Sequence, residues 1–271
     1  MKKHFLLLNL ILLLAVCITS CSSDDNLNEE EILSSDKLLP VSILGDNGDK
    51  VLYTYNDKNQ ITELRQEEHY KDYTELYIAK INYDAQGNPL QLITAYENLE
   101  TPENEYLWET HNFTYEGKNI VNAIDGETGL LKYRFTLNNG FVVKLEDIEE
   151  NNLTLTTDIA YDEFFNAISD IFIVKGLTIG KMIYQYDYSH HSYLKNVSTP
   201  DWLLNFLDAN LGRYNQLIST MEESNSKLYE TVKFNWDNYQ DGFPTYLKKE
   251  RIDRDGISTI TENTITYIKA K

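Results

Sequence analysis

The chain has 271 residues, with 43 acidic against 24 basic side chains and a formal net charge of −19. A field of that sign repels phosphate, so nucleic acid and anionic lipid headgroups are excluded as expected partners, while divalent cations and cationic or neutral ligands stay open. The two cysteines both lie within the first 21 residues, which leaves the rest of the chain without disulfide, cysteine-zinc or cysteine-nucleophile chemistry.

The N-terminus reads as a leader. Lys2 and Lys3 precede an apolar run from residue 5 to 16 that is too short to span a bilayer, and Ile18-Thr19-Ser20 lead into Cys21. This is the layout of a bacterial lipoprotein signal at 1–20. Cys21 is the expected lipidation site, because a thiol at the junction accepts a diacylglycerol and two or three acyl chains make anchoring stable at about 0.8 kcal/mol per buried methylene. An ordinary secretory signal with a chance cysteine is the alternative. Cys17 fits less well, since Val16 before it is bulky.

Residues 21–39 form the lipidated cysteine and a tether, its 22–36 stretch acidic and polar with too little apolar area to offset ordering. Ser22 stands where the inner-membrane retention signal of enteric bacteria has Asp. Ser23-Asp24-Asp25 resembles the Ser-Asp-Asp export signal of Bacteroidetes lipoproteins, and a simple acidic spacer is the alternative. The resemblance implies a lipid anchor in the outer membrane of a Gram-negative bacterium, exposed at the cell surface, with a periplasm-facing orientation as the other possibility.

Residues 40–271 read as a single β domain, with no Pro/Gly/Ser linker dividing it. A phrase repeats along it: two aromatic or apolar residues spaced by one, an Asp, Asn or Glu, a turn, then an alternating apolar segment. Copies are Tyr53-Thr54-Tyr55-Asn56, Ile81-Asn82-Tyr83-Asp84, Phe113-Thr114-Tyr115-Glu116, Ile159-Ala160-Tyr161-Asp162, Tyr184-Gln185-Tyr186-Asp187 and Phe234-Asn235-Trp236-Asp237. Turn residues such as Gly87-Asn88 and Asn139-Gly140 supply the positive-φ positions of short hairpins. The fold class is therefore all-β. Up-and-down antiparallel hairpin repeats of about a dozen strands should form a curled sheet or barrel.

One face is aromatic and aliphatic: Tyr77, Ala79, Ile81 and Tyr83 oppose Lys80 and Asn82, and Phe141, Val143 and Leu145 oppose Lys144 and Glu146. A segment such as 61–70 is too charged for a lipid-facing wall, so contact with the membrane is expected through the lipid anchor only. One short helix is expected near 199–212. Thr199 caps it, Pro200 enters its first turn, Leu203, Leu207 and Leu211 line one stripe, and Gly212 ends it. It should cover an open end or seam of the sheet, a mobile lid being the alternative.

The lipobox, the aromatic hairpin phrases and the late helix together resemble an uncharacterised lipoprotein family of Bacteroidales, a domain of unknown function described as having a porin-like fold. The phrase around Tyr83-Asp84 and Gly87-Asn88 also resembles the tyrosine-aspartate hairpin repeats of Rhs-type shells. The family resemblance implies a barrel-like all-β fold and carries over no catalytic or binding residue.

No Gly-x-Ser-x-Gly elbow, phosphate-binding glycine loop or His-Glu-x-x-His motif occurs. His190 and His191 point to opposite faces on a strand, so no metal is expected there. Asp253-Arg254-Asp255-Gly256 lacks the downstream ligands of a calcium loop and reads as a hairpin turn. No cofactor and no catalytic residue is expected. Of the 20 tyrosines and three tryptophans, most should pack the core. Tyr106, Trp108, Tyr188, Tyr193 and Tyr239 lie where they could form a platform for sugars or peptides. The leading expectation is a non-enzymatic binding or interaction module for a glycan, peptide or envelope-protein partner. Alternatives are a carrier of an apolar ligand inside the barrel and a glycan-acting hydrolase with dispersed carboxylates.

Overall fold

The computed structural model describes residues 37–70, 73–98, 107–149, 152–207, 212–223 and 228–271. Cys21, the leader and the tether up to residue 36 lie outside them, as does Tyr106.

Strands β1 (Leu38–Gly45), β2 (Lys50–Tyr55), β3 (Ile61–His69), β4 (Thr74–Tyr83), β5 (Pro89–Asn98), β6 (Leu107–Glu116), β7 (Ile120–Asp125) and β8 (Leu131–Asn138) run up and down in chain order. They are followed by β9 (Phe141–Glu149), β10 (Asn152–Tyr161), β11 (Ala167–Val174), β12 (Leu177–His191), helix α1 (Asp201–Phe206), β13 (Tyr214–Glu223), β14 (Leu228–Gln240), β15 (Phe243–Asp253) and β16 (Ser258–Lys269). Each strand pairs with its sequence neighbours, and β1 pairs with β16 from Leu38↔Lys269 to Gly45↔Asn263, which closes a barrel of sixteen strands. The sheet is thus larger than the dozen strands expected, and its closure removes every free edge.

The first and last described residues meet at one end of the barrel, where the Ala270 amide donates to the Lys37 carbonyl and the Lys271 amide to Asn59. This terminal end also carries the β2–β3, β4–β5, β10–β11 and β12–β13 connections.

The repeated phrase closes the terminal end. Its second aromatic turns inward at the close of a strand and donates to a carbonyl near the start of the preceding one. Tyr55 bonds Pro40 at 2.6 Å, Tyr83 Ile61 at 2.7 Å, Tyr115 Pro89 at 2.7 Å and Tyr186 Ala167 at 2.9 Å. Tyr267 repeats the bond to Pro244 and Trp236 to Gln216 through its indole nitrogen, both at 2.6 Å. These rings therefore do more than fill the core. The acid or amide that follows organises the turn: Asp84 accepts the Asn88 amide, Asn56 those of Lys58 and Gln60, and Asp162 those of Phe164 and Asn166.

Inward residues Tyr53, Leu64, Ala79, Phe113, Val121, Phe135 and Tyr184 form one core with Leu194, Trp202, Leu203, Leu204 and Leu207 of the β12–β13 connection. Trp202 lies edge-on to Phe113 at 5.0 Å and tilted against Phe135 at 5.3 Å, while Phe206 meets Tyr133 and Phe135, each at 5.0 Å. Helix α1 is thus a plug inside the bore, not a cover over its rim, so Trp202 and Leu204 are buried along with the predicted stripe residues Leu203 and Leu207. It is also shorter than 199–212. Thr199 does not cap it, because the Thr199 hydroxyl accepts the Ile61 amide at 2.7 Å and pins the plug to β3. Gly212 serves a close approach, since a Cβ there would lie 2.6 Å from Asn166 Oδ1.

On β9 the expected alternation shifts. A register irregularity opposite Thr136/Leu137 places Val142, not Val143, among the most buried residues, beside buried Phe141. Elsewhere the outward face is charged and cross-paired, with Lys50 and Arg65 on Glu67, Arg134 on Glu116, Lys144 on Glu146, Lys181 on Glu222 and Lys233 on Glu250.

Candidate functional site

The β10–β11 turn is a copy of the β4–β5 turn with its middle replaced. Where the latter reads Asp84-Ala85-Gln86-Gly87-Asn88, the former reads Asp162-Glu163-Phe164-Phe165-Asn166. Gly87 takes φ 96° without strain, but Phe165 occupies the same place at φ 65°, a left-handed conformation that costs a bulky residue about 1–2 kcal/mol. Strain of this kind persists where the surroundings hold it. Here the holding contacts are the ring of Phe141, stacked on Phe165 at 4.9 Å, and the guanidinium of Arg213, 5.3 Å from the Phe165 centroid and 5.4 Å from that of Phe141.

Asn166 ties the turn to the connection. It is fully buried, its Oδ1 accepts the backbone amides of Arg213 at 2.8 Å and Tyr214 at 3.1 Å, and its Nδ2 donates to Asp162 at 2.8 Å. Between this turn and the plug lies a recess of about 700 Å³, lined by Glu163, Phe164, Phe165, His191, Lys195, Ser198, Asp201, Arg213 and Tyr214. Phe164 and Tyr214 line the recess with centroids 6.0 Å apart, Tyr188 packs on both from outside the lining at 5.6 and 5.5 Å, and His191 stacks on Tyr214 at 5.1 Å. Phe164 and Tyr188 remain 45% and 51% exposed, which leaves their faces open to a ligand. The Tyr188 hydroxyl is fixed on Asp162 at 2.9 Å.

The charges of the recess are distinctive. Burial holds the Asp201 carboxyl above its ordinary range, with Arg213 pulling the other way, and burial lowers Lys195. Desolvation likewise lowers His191. Neither Lys195 nor Arg213 has a carboxylate within ion-pair distance among the described residues.

A second hollow, of about 400 Å³, lies in the bore beyond the plug. Tyr53, Leu64, Tyr184, Tyr186 and Trp236 share its lining with Gln66, Glu68, Asn215, Glu230 and Lys249. The interior is therefore packed at the terminal end and partly open towards the other.

The residues expected to form a platform do not come together. Trp108 is exposed on the outer wall of β6 with the Lys80 ammonium 5.3 Å from its ring, Tyr193 stacks on Trp236 at 5.7 Å, and Tyr239 stacks on His190 at 4.1 Å. Tyr188 packs on Phe164 and Tyr214, which line the recess, without lining it itself. His190 and His191 part as their strand dictates, His190 to Asp187 at 2.7 Å and His191 to Tyr214. Asp253 accepts the amides of Asp255 and Ile257, each at 2.9 Å, and Gly256 has φ 80°, so 253–256 is a hairpin turn. Asp147 and Asp201, the carboxyls that burial raises, stand towards opposite ends of the barrel. The sequence reading missed Phe164, Phe165 and Arg213. The available signal was the departure of 163–165 from the turn of its sister repeat.

No protein-family model matches the chain, and no curated protein does. The resemblances drawn from the lipobox and the hairpin phrase therefore stand without a family in which to place it. Among solved structures, a porin-like protein from Bacteroides uniformis ATCC 8492 is similar over 76% of this chain and 95% of its own, at 13% identity and a TM-score of 0.45. A porin-like protein from Bacteroides vulgatus ATCC 8482 is similar over 85% of this chain and 99% of its own, at 10% identity and a TM-score of 0.38.

Proposed function

We propose that this chain is a non-enzymatic binding module of the bacterial envelope, anchored through a lipid on Cys21 and presenting the recess at the terminal end of its plugged barrel to a small polar ligand. The observation that carries this reading is the recess itself: its volume suits a small ligand, and it is lined both by the exposed ring of Phe164 and by an Arg held by stacking. Binding sites combine such apolar faces with a few fixed polar groups. The plug supports binding over conduction, since Trp202 and Leu203 fill the bore. The outward ion pairs support a wall that meets water, because a charge on a lipid-facing strand costs about 2–4 kcal/mol at mid-membrane.

Two measurements test it. Cys21→Ala should move the folded protein from the membrane to the soluble fraction, and continued partition with membranes would overturn the anchor. Glycan and peptide arrays probed with the intact chain should return a ligand whose binding falls when Phe164 and Tyr188 are both changed to Ala; blank arrays with a well-folded protein would overturn the binding module.

The hollow beyond the plug favours a second reading, a carrier of a partly apolar molecule inside the barrel. Its mixed lining of tyrosines with Gln66, Glu68 and Lys249 suits an amphipathic guest better than a hydrocarbon. Native mass spectrometry of the protein from its own envelope would reveal such a guest as a fixed mass increment.

A further inference from the structure

Resting on the reading of the recess as a binding site, we infer that its ligand is a saccharide bearing a single carboxylate, the acid held by Arg213 with Lys195 beside it and a sugar face laid on Phe164.

Arg213 is a rare element in this chain: a guanidinium fixed at both ends. Its backbone amide is bonded to buried Asn166, its carbonyl accepts the Ser192 amide at 2.9 Å, and its Cζ lies over the rings of Phe141 and Phe165. Stacking engages the flat face and leaves the N–H edges, which make bidentate bonds with carboxylates. Such a group has already lost the rotamer entropy that binding would otherwise remove. Arg65, Arg134 and Arg251 on the wall are instead paired with Glu67, Glu116 and Glu230.

Charge balance limits the ligand to one negative group. Lys195 and Arg213 line the same recess as Asp201 and Glu163, so the recess is close to neutral, and the net charge of −19 opposes every further anion. A phosphate dianion or a polyanion is disfavoured on both counts. A monocarboxylate is not.

The rest of the ligand follows from the surroundings. An extended peptide would seek an unpaired strand edge, and the closed barrel has none. Carboxylates beside open aromatic faces serve hydroxyls and the C–H face of a pyranose instead. Glu163 and Asp201 supply the acceptors, and Phe164, backed by Tyr188, supplies the face.

The test is calorimetric titration of the intact chain in detergent with three monosaccharide probes: galacturonate, its methyl ester and neutral galactose. Galacturonate should bind at least tenfold more tightly than either. Arg213→Gln should remove that preference in a protein that stays folded by circular dichroism, and Arg213→Lys should keep only part of it. Phe164→Ala should weaken all three probes. Equal affinity for acid and ester, or an Arg213→Gln variant that keeps the preference, would overturn the carboxylate and leave the binding module standing. Failure of the folded protein to bind any of the three overturns the saccharide acid, while the binding module falls only if the arrays are also blank.

Discussion

The guanidinium carbon of Arg213 lies 5.3 Å from the ring centroid of Phe165, a residue whose own backbone is left-handed at φ 65°. A turn that uses glycine at 87 is here strained, and the strained residue is the one that supports the arginine lining the recess.

Phe165→Gly tests that coupling. Relief of the left-handed strain offsets lost stacking on Phe141, so stability should change by no more than about 1 kcal/mol. Ligand affinity should nevertheless fall, because Arg213 loses half of its support. Urea denaturation beside titration separates the two. The converse change, Gly87→Ala, should cost about 1 kcal/mol or more, since the turn needs φ 96° and a Cβ would lie 3.0 Å from the Gln60 amide nitrogen.

Tyr83→Phe keeps the ring and removes the hydroxyl that bonds Ile61 at 2.7 Å and lies 3.3 Å from Thr199. An unsatisfied carbonyl and a loosened plug should cost about 1–3 kcal/mol in urea denaturation. Tyr267→Phe should cost a similar amount through Pro244. The double variant should be additive within about 0.5 kcal/mol if each latch acts on its own hairpin.

Trp202→Ala should destabilise by about 3–5 kcal/mol, because the plug fills the bore and little can collapse into the space left by an indole. Binding of a hydrophobic dye should rise as the core opens. A loss below about 1 kcal/mol would mean that the barrel stands without its plug.

Burial raises the Asp201 carboxyl in the folded state, so the folded protein holds that proton more tightly than the unfolded chain does. The stabilising share is complete below the unfolded value of 3.8 and is lost as pH rises through the folded one. Asp201→Asn should therefore raise the urea midpoint at pH 7 and leave it unchanged near pH 3. The turn acids Asp84, Asp162 and Asp187 run the other way. Their hydrogen bonds lower them, despite the burial that opposes this at Asp162 and Asp187, and the stability they contribute above 3.8 is lost as pH falls. A wild-type stability that did not fall between pH 5 and pH 3 would contradict this.

Strand periodicity and turn chemistry are local, and so the sequence by itself determined the all-β class, the hairpin repeat, the inward set around Ala79 and Ile81, and the turn at 253–256. It also held the clue to the recess, in the two phenylalanines that interrupt a turn shared with residues 84–88. The tertiary structure alone decided the rest. Sixteen strands and closure depend on β1 meeting β16 across the whole chain, and no local pattern encodes that pairing. The helix pattern named a buried stripe, but only a surrounding bore explains why Trp202 is buried as well. Arg213 and Phe165 are far apart in sequence and meet because buried Asn166 bonds the backbone beside one of them, a contact without a periodic signature.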